Sequence, residues 1–192
     1  MLAVCIAGGP SLQWEDVQTC RDHAFTIAIN ESWLMAPWAD VLYAADYAWW
    51  MRHPDAWSFP GHRLGCQNKN SEKFGVTVLK NLGYLGWSED PDAVYNGSHS
   101  GYQAIQVAAT RYGATTIALL GYDVKAGNGQ KNWYPNPKTK PFERWLSTYG
   151  TLADAARARN ITIWNCSRDT AITAFPRRSL AEVLCDVSPS CR

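Results

Sequence analysis

No stretch of this chain is apolar for long enough to span a bilayer. The first residues, Met1-Leu2-Ala3-Val4-Cys5-Ile6, lack the basic flank and long apolar core of a signal peptide. Charge of one sign is also missing. The net charge is +1, so no overall field draws the chain to nucleic acid or to an anionic membrane surface. Several signatures are absent as well: no CxxC pair, no GxGxxG fingerprint, no P-loop and no GxSxG elbow. The His, Cys and acid spacings give no metal-ligand pattern, which argues against a structural zinc site, and the missing GxSxG elbow argues against a serine hydrolase. The chain is expected to be cytoplasmic, free of membrane and nucleic-acid partners. Its six cysteines (5, 20, 66, 166, 185 and 191) are expected to be free thiols.

What is present fits a single globular domain. The chain has 192 residues, enough for one substantial core. Ten tryptophans stand out, five of them (Trp33, Trp38, Trp49, Trp50 and Trp57) within one quarter of the chain. Aromatics this dense chiefly fill a core or cover an interface.

Residues 2–7 read as a short buried strand that ends in Gly8-Gly9. The turn Gly8-Gly9-Pro10-Ser11 leads to a helix predicted to start near Ser11, with Glu15 and Asp16 early in it. Strands follow at 25–30 and 39–46, with a short helix between them that Pro37 interrupts. Residues 53–97 read as an irregular excursion carrying one β-rich run at 75–80. The apolar stripe of "SGYQAIQVAATRYG" (100–113) predicts the clearest helix, ended by Gly113. A buried strand at 115–123, a loop at 126–141, a long helix at 142–160 broken at Gly150, a strand at 161–165 and a closing helix at 179–184 complete the pattern. Strands alternating with helices predict an α/β Rossmann-like domain: a mostly parallel sheet with helices on both faces.

In such folds ligands bind beyond the carboxyl ends of the strands. Asn30, Asp46 and Asp123 end three predicted strands and are expected to converge with Gly8–Ser11 on one edge. Bare glycine backbone beside a helix start suits an anion. A second small-residue loop, "NGSHSG" (96–101), opens the helix at 100 and offers Ser98 and Ser100 as donors or caps. His99 between them is a candidate acid, base or phosphate contact, and otherwise a loop histidine. Asp46 and Asp123 are candidates to hold Mg²⁺ or a ribose hydroxyl, and Asp46 equally a helix cap. Arg177 and Arg178 in "FPRRSL" read as surface charges.

"IAGGPSL", "INESW", "SGYQAIQVAATRYGATTIALLGYDV" and "ITIWNCS…FPRRSL" together resemble a Rossmann-like superfamily. It comprises the family 42 bacterial sialyltransferases and the DUF115 proteins, with small phage and prophage members. DUF115 includes flagellin-glycosylation proteins and the archaeal 6-hydroxymethyl-dihydropterin pyrophosphokinase. The resemblance covers both ends and the 96–125 block, and hardly touches 50–95. It implies that Gly9-Pro10-Ser11 line nucleotide phosphates, that Asn30 contacts the nucleotide or donor sugar, and that Ser100 and Gly101 lie against ribose or base. Tyr122 and Asp123 would stand at the next strand end. The chain departs from the sialyltransferases at Gly8, where they carry asparagine, and "KNWYPNPKTKPFERW" holds no histidine where they carry one. The implied activity is a nucleotide- or nucleotide-sugar-dependent transferase, by glycosyl or by Mg²⁺- and ATP-dependent pyrophosphoryl transfer. A non-catalytic nucleotide-sequestering protein and an interaction module are the alternatives, and the sequence leaves homo-oligomerisation open.

Overall fold

A computed structural model describes residues 1–66, 69–127, 129–134 and 141–187. Strand β1 (Leu2–Ile6) leads through the glycine turn to helix α1 (Trp14–Thr19), and β2 (Phe25–Ile29) follows. A 3-10 turn over Asn30–Leu34 precedes β3 (Val41–Tyr43), α2 (Tyr47–Arg52) and β4 (His62–Gly65). The chain continues through β5 (Thr77–Val78), β6 (Lys80–Asn81) and β7 (Ala93–Val94) to α3 (Ser100–Gln106). That helix widens into a π-helical turn over Val107–Arg111, and β8 (Thr116–Leu120) comes next. Helices α4 (Phe142–Leu146) and α5 (Tyr149–Arg157), strand β9 (Thr162–Asn165) and helix α6 (Leu180–Val187) complete the order.

The central sheet runs β5-β4-β3-β2-β1-β8-β9, and every pairing in it is parallel. Successive strand residues point to opposite faces, so the sheet feeds two cores. Ala3, Cys5, Ile27, Ile29, Ile117 and Leu119 pack with α3 and α5 on one face. Leu2, Val4, Ile6, Ala28, Ala118 and Leu120 pack with α1, α2 and α6 on the other. This is a single Rossmann-like α/β domain. Among the described residues no helix is long and apolar enough to cross a membrane.

Four local expectations are revised. Helix α1 begins at Trp14 rather than near Ser11, because Ser11 is held across the sheet edge by Asp123. The long helix at 142–160 breaks at Ser147-Thr148 into α4 and α5, and Gly150 sits inside α5. The excursion at 53–97 supplies two strands to the central sheet: β4, which shows little apolar run because only Leu64 and Gly65 are buried, and the edge strand β5. Cys5, Cys20, Cys66 and Cys166 are free and buried, whereas Cys185 is disulfide-bonded; Cys191 lies outside the described residues, as does part of the 126–141 loop. Burial pushes the thiols of Cys5, Cys20 and Cys166 up to about 12, so they behave as small hydrophobes.

The rest of the excursion is tied to α3 by buried amides. Gln106 Oε1 accepts the backbone N–H of Tyr95 (3.1 Å) and of Ser88 (3.3 Å), and its Nε2 donates to Tyr95 O (2.8 Å). Gln103 Nε2 donates to Asn96 O (2.8 Å) while its Oε1 accepts the Tyr43 hydroxyl (2.6 Å). Tyr102 clasps Gly86 in the same way, donating to its carbonyl and accepting its amide. Side-chain amides here replace the sheet partners that an irregular loop lacks. Gln106→Leu would leave one buried and two half-buried backbone groups unpaired. It is expected to lower stability by about 3 kcal/mol, measured as a fall in the urea midpoint at constant slope.

Candidate functional site

Strands β2 to β5 extend to one side of β1, and the chain then crosses back to lay β8 on the other side. The carboxyl ends of β1 and β8 therefore flank the point where strand order reverses, the usual ligand crevice of an open α/β sheet. The two ends are locked together. The Ala7 amide donates to Leu120 O and the Gly9 amide to Gly121 O, both at 2.8 Å. Ser11 donates its backbone N–H to Asp123 Oδ2 (2.7 Å) and its hydroxyl to Oδ1 (2.8 Å). Only glycine admits this approach: a Cβ on Gly9 would lie 2.2 Å from Asp123 Oδ1, and one on Gly121 2.4 Å from Ala7 O.

Above this lock lies a cleft of about 90 Å³. Its floor is Ala7, Gly8, Gly9 and Gly121, with Asn30 and Ile29 at the end of β2. His99, Ser100 and Gly101 at the start of α3 form one wall, beside Tyr122 and Tyr149. Lys131, Asn132 and Tyr134 cross the opening, and Phe142 and Trp145 of α4 close an aromatic side.

The residues expected from sequence divide into two groups. Gly8, Gly9, Asn30, His99, Ser100, Gly101 and Tyr122 do meet in the cleft. Asn30 holds a left-handed backbone (φ +51°) that brings it to the strand end. Sparsely populated backbone of this kind concentrates at functional sites. Tyr122, fully buried, donates its hydroxyl to Gly101 O (3.1 Å) and ties α3 to the end of β8. The Ser100 hydroxyl accepts the Ala45 amide (3.3 Å).

Pro10, Ser11, Ser98, Asp46 and Asp123 are not among the cleft-lining residues. Pro10 packs beside Gly127, its ring 3.2 Å from where a Gly127 Cβ would lie. Ser98 turns back on itself, its amide donating to Asn96 Oδ1 (2.8 Å). Asp123 is 1% exposed, and burial pushes its carboxyl up against the opposing pull of the two Ser11 hydrogen bonds. Asp46 is exposed at the N-cap position of α2. The two carboxylates expected to hold Mg²⁺ are therefore not among the residues that line the cleft, and no Asp, Glu or Cys lines it among the described residues. Among the described residues no group of three or more His, Cys, Asp and Glu is placed to hold a metal ion.

His99 is the N-cap of α3. Its Nδ1 accepts the Tyr102 amide (3.1 Å), so the neutral ring carries its proton on Nε2. The ring packs against Trp145 and Tyr149, with centroids 5.1 and 5.2 Å away.

Lys131, Asn132, Phe142 and Trp145 were not legible as site residues. They come from a loop and from α4, brought over the β1 and β8 ends. The backbone of Trp133 donates to Gly8 O (3.2 Å), and the Tyr134 ring lies 2.9 Å from where a Gly8 Cβ would stand. Asn132 is 4% exposed, and its Nδ2 has no hydrogen-bond partner among the described residues.

A second, open groove of about 600 Å³ is lined by Arg168, Arg177 and Arg178. Its arginines are engaged within the chain. Arg168 pairs with Asp16 (2.6 Å), and Arg178 pairs with Asp186 and covers Trp164. Arg177 donates to the carbonyls of Ser167 (2.7 Å) and Arg168 (2.9 Å).

No protein-family model matches this chain, and no curated protein and no solved structure matches it either.

Proposed function

We propose that the cleft binds a nucleotide or nucleotide-sugar, and that the protein is a glycosyltransferase-like transferase acting on that ligand. The observation that carries this reading is the position and lining of the cleft. It lies at the strand-order reversal, with bare backbone at Gly8-Gly9 and Ser100-Gly101 on one side and the aromatic side chains of Phe142, Trp145 and Tyr149 on the other. Small-residue turns let a phosphate come close to the backbone, and aromatic faces suit a base or sugar. The resemblance to the family 42 and DUF115 superfamily supports the same class of ligand.

Glycosyl transfer is favoured over pyrophosphoryl transfer by the donor set. The latter is expected to require ATP with Mg²⁺, and the described residues that line the cleft include no carboxylate to hold the ion. In the favoured reading the chain's own groups hold the ligand. His99 lines the cleft at the start of α3, and Asn30 faces the ligand from the end of β2.

A thermal-shift panel tests this, using CMP, CMP-sialic acid, UDP- and GDP-sugars, ATP and GTP, each with EDTA and with Mg²⁺. One nucleotide-sugar class should stabilise the protein, by about 2.7 kcal/mol at a hundredfold excess over Kd, and equally in EDTA. Asn30→Gly keeps the left-handed backbone accessible while removing the amide, and should weaken that ligand about tenfold. Recovery of the nucleotide unchanged after incubation with acceptors would favour a sequestering protein. A panel with no shift would move the chain to the interaction-module reading.

A further inference from the structure

Asn132 is an anomaly as a structural residue. A buried amide donor without a partner is costly, and most such groups in folded proteins are paired. Here the donor belongs to a side chain that lines the cleft and is more than nine-tenths buried. Its neighbour Lys131 also lines the cleft and pairs with no carboxylate among the described residues. The backbone around them is held in place. Gly127 and Gln130 exchange hydrogen bonds (2.8 and 2.9 Å), and the Trp133 amide is fastened to Gly8 O. The two side chains therefore belong to an anchored segment that lines the cleft beside its glycine backbone, and none of the described lining residues carries a carboxylate.

Resting on the nucleotide reading above, we infer that Lys131 and Asn132 form the oxyanion subsite of the cleft and that Asn132 donates directly to a phosphoryl or carboxylate oxygen of the ligand. An oxyanion supplies the acceptor that Asn132 Nδ2 lacks and the countercharge that Lys131 lacks. A neutral ligand of the same shape supplies only the first. The subsite thus selects charged over uncharged ligands, independently of the base or sugar recognised elsewhere in the cleft.

The test is calorimetric titration of the full chain with the four ribonucleosides, their 5′-monophosphates, inorganic phosphate alone and glucuronate alone. For the base that binds, the monophosphate should bind at least tenfold more tightly than the nucleoside, and Lys131→Met should remove most of that difference. Asn132→Leu should abolish the difference while leaving the ligand-free Tm unchanged or higher, since it removes an unpaired donor. Asn132→Asp keeps the shape, loses the donor and should also fail to bind the charged ligands. Binding of phosphate but not glucuronate assigns the subsite to a phosphoryl group, and the reverse assigns it to a sugar carboxylate.

Equal affinity for nucleoside and monophosphate, with neither simple anion bound, would overturn the subsite and leave the nucleotide reading standing. Asn132-dependent binding of a simple anion, with no nucleoside or nucleotide bound, would sustain the subsite and overturn that reading. Unaltered binding by Asn132→Asp would sink the subsite, and no binding by any probe would sink both.

Discussion

Gly9→Ala is expected to destabilise the protein by about 3 kcal/mol or more, enough to unfold much of it at 37 °C. The added methyl would stand 2.2 Å from Asp123 Oδ1 and 2.4 Å from Gly121 O, and both are fixed. Gly121 O accepts the Gly9 amide itself, and the Asp123 carboxylate is held at both oxygens by Ser11. Neither can retreat without opening the contact between the β1 and β8 ends. The internal control is Gly150→Ala. Outside the adjacent residues and the helix's own backbone, no atom of the described residues lies within 4 Å of a Cβ there, and the residue sits inside α5. That change should stabilise the protein by about 0.5–1 kcal/mol, because alanine favours the helix. Two glycine-to-alanine changes of opposite sign, read from urea midpoints, would establish the β1–β8 lock as a steric requirement. Equal, small effects would show that the lock can relax.

Asp123→Ala should cost about 3 kcal/mol, since it leaves the Ser11 amide and hydroxyl without their charged acceptor. Asp123→Asn should behave quite differently. The amide oxygen can take the Ser11 N–H, the amide nitrogen can donate to Ser11 Oγ, and that hydroxyl can turn to Asp169 O, already 3.4 Å away. The isostere therefore keeps the lock and removes the buried charge. The pH dependence follows from the direction of the Asp123 shift. Burial raises its carboxyl above the ordinary value of 3.8, and nearby Asp169 adds to the rise while the Ser11 bonds and Lys125 oppose it. As pH rises from 3.8 through the higher folded value, the unfolded chain releases the proton first. The folded state then binds more protons, and stability falls across that window. Asp123 contributes most to stability below pH 3.8, and the contribution levels off above the folded value. The difference in Tm between the wild-type protein and Asp123→Asn should accordingly move toward the variant between pH 3.5 and 7. The comparison cancels the titration of every other group. A difference that moves toward the wild-type protein would show that the Ser11 hydrogen bonds outweigh burial.

These two residues also show where reading the sequence falls short. Asp123 at the end of an apolar strand reads as a metal or ribose ligand, and the same position serves to fasten one strand end to another. The choice depends on Ser11, 112 positions away in sequence, whose amide and hydroxyl meet its carboxylate. Asp46 reads equally as a ligand and as a cap, and it stands exposed at the start of α2. His99 caps α3 through Nδ1 and still lines the cleft, so its two readings are compatible.

Sequence alone determined the α/β class and the two small-residue turns of the cleft, Gly8-Gly9 and Ser100-Gly101. It also determined the strand-end position of Asn30. These are local properties: strands declare themselves by short apolar runs, turns by glycine, and α3 by its apolar stripe and the left-handed Gly113 beyond it. Only the tertiary structure decided which strand ends are neighbours, and hence that β1 and β8 frame the cleft while Asp46 stands apart. It alone brought Lys131, Asn132, Phe142, Trp145 and Tyr149 over that edge. It alone placed β4 and β5 in the central sheet and gave the amides of Gln103 and Gln106 the task of holding the loop between. Those choices rest on long-range hydrogen bonds and burial between segments distant in sequence, and no window of local pattern contains both partners.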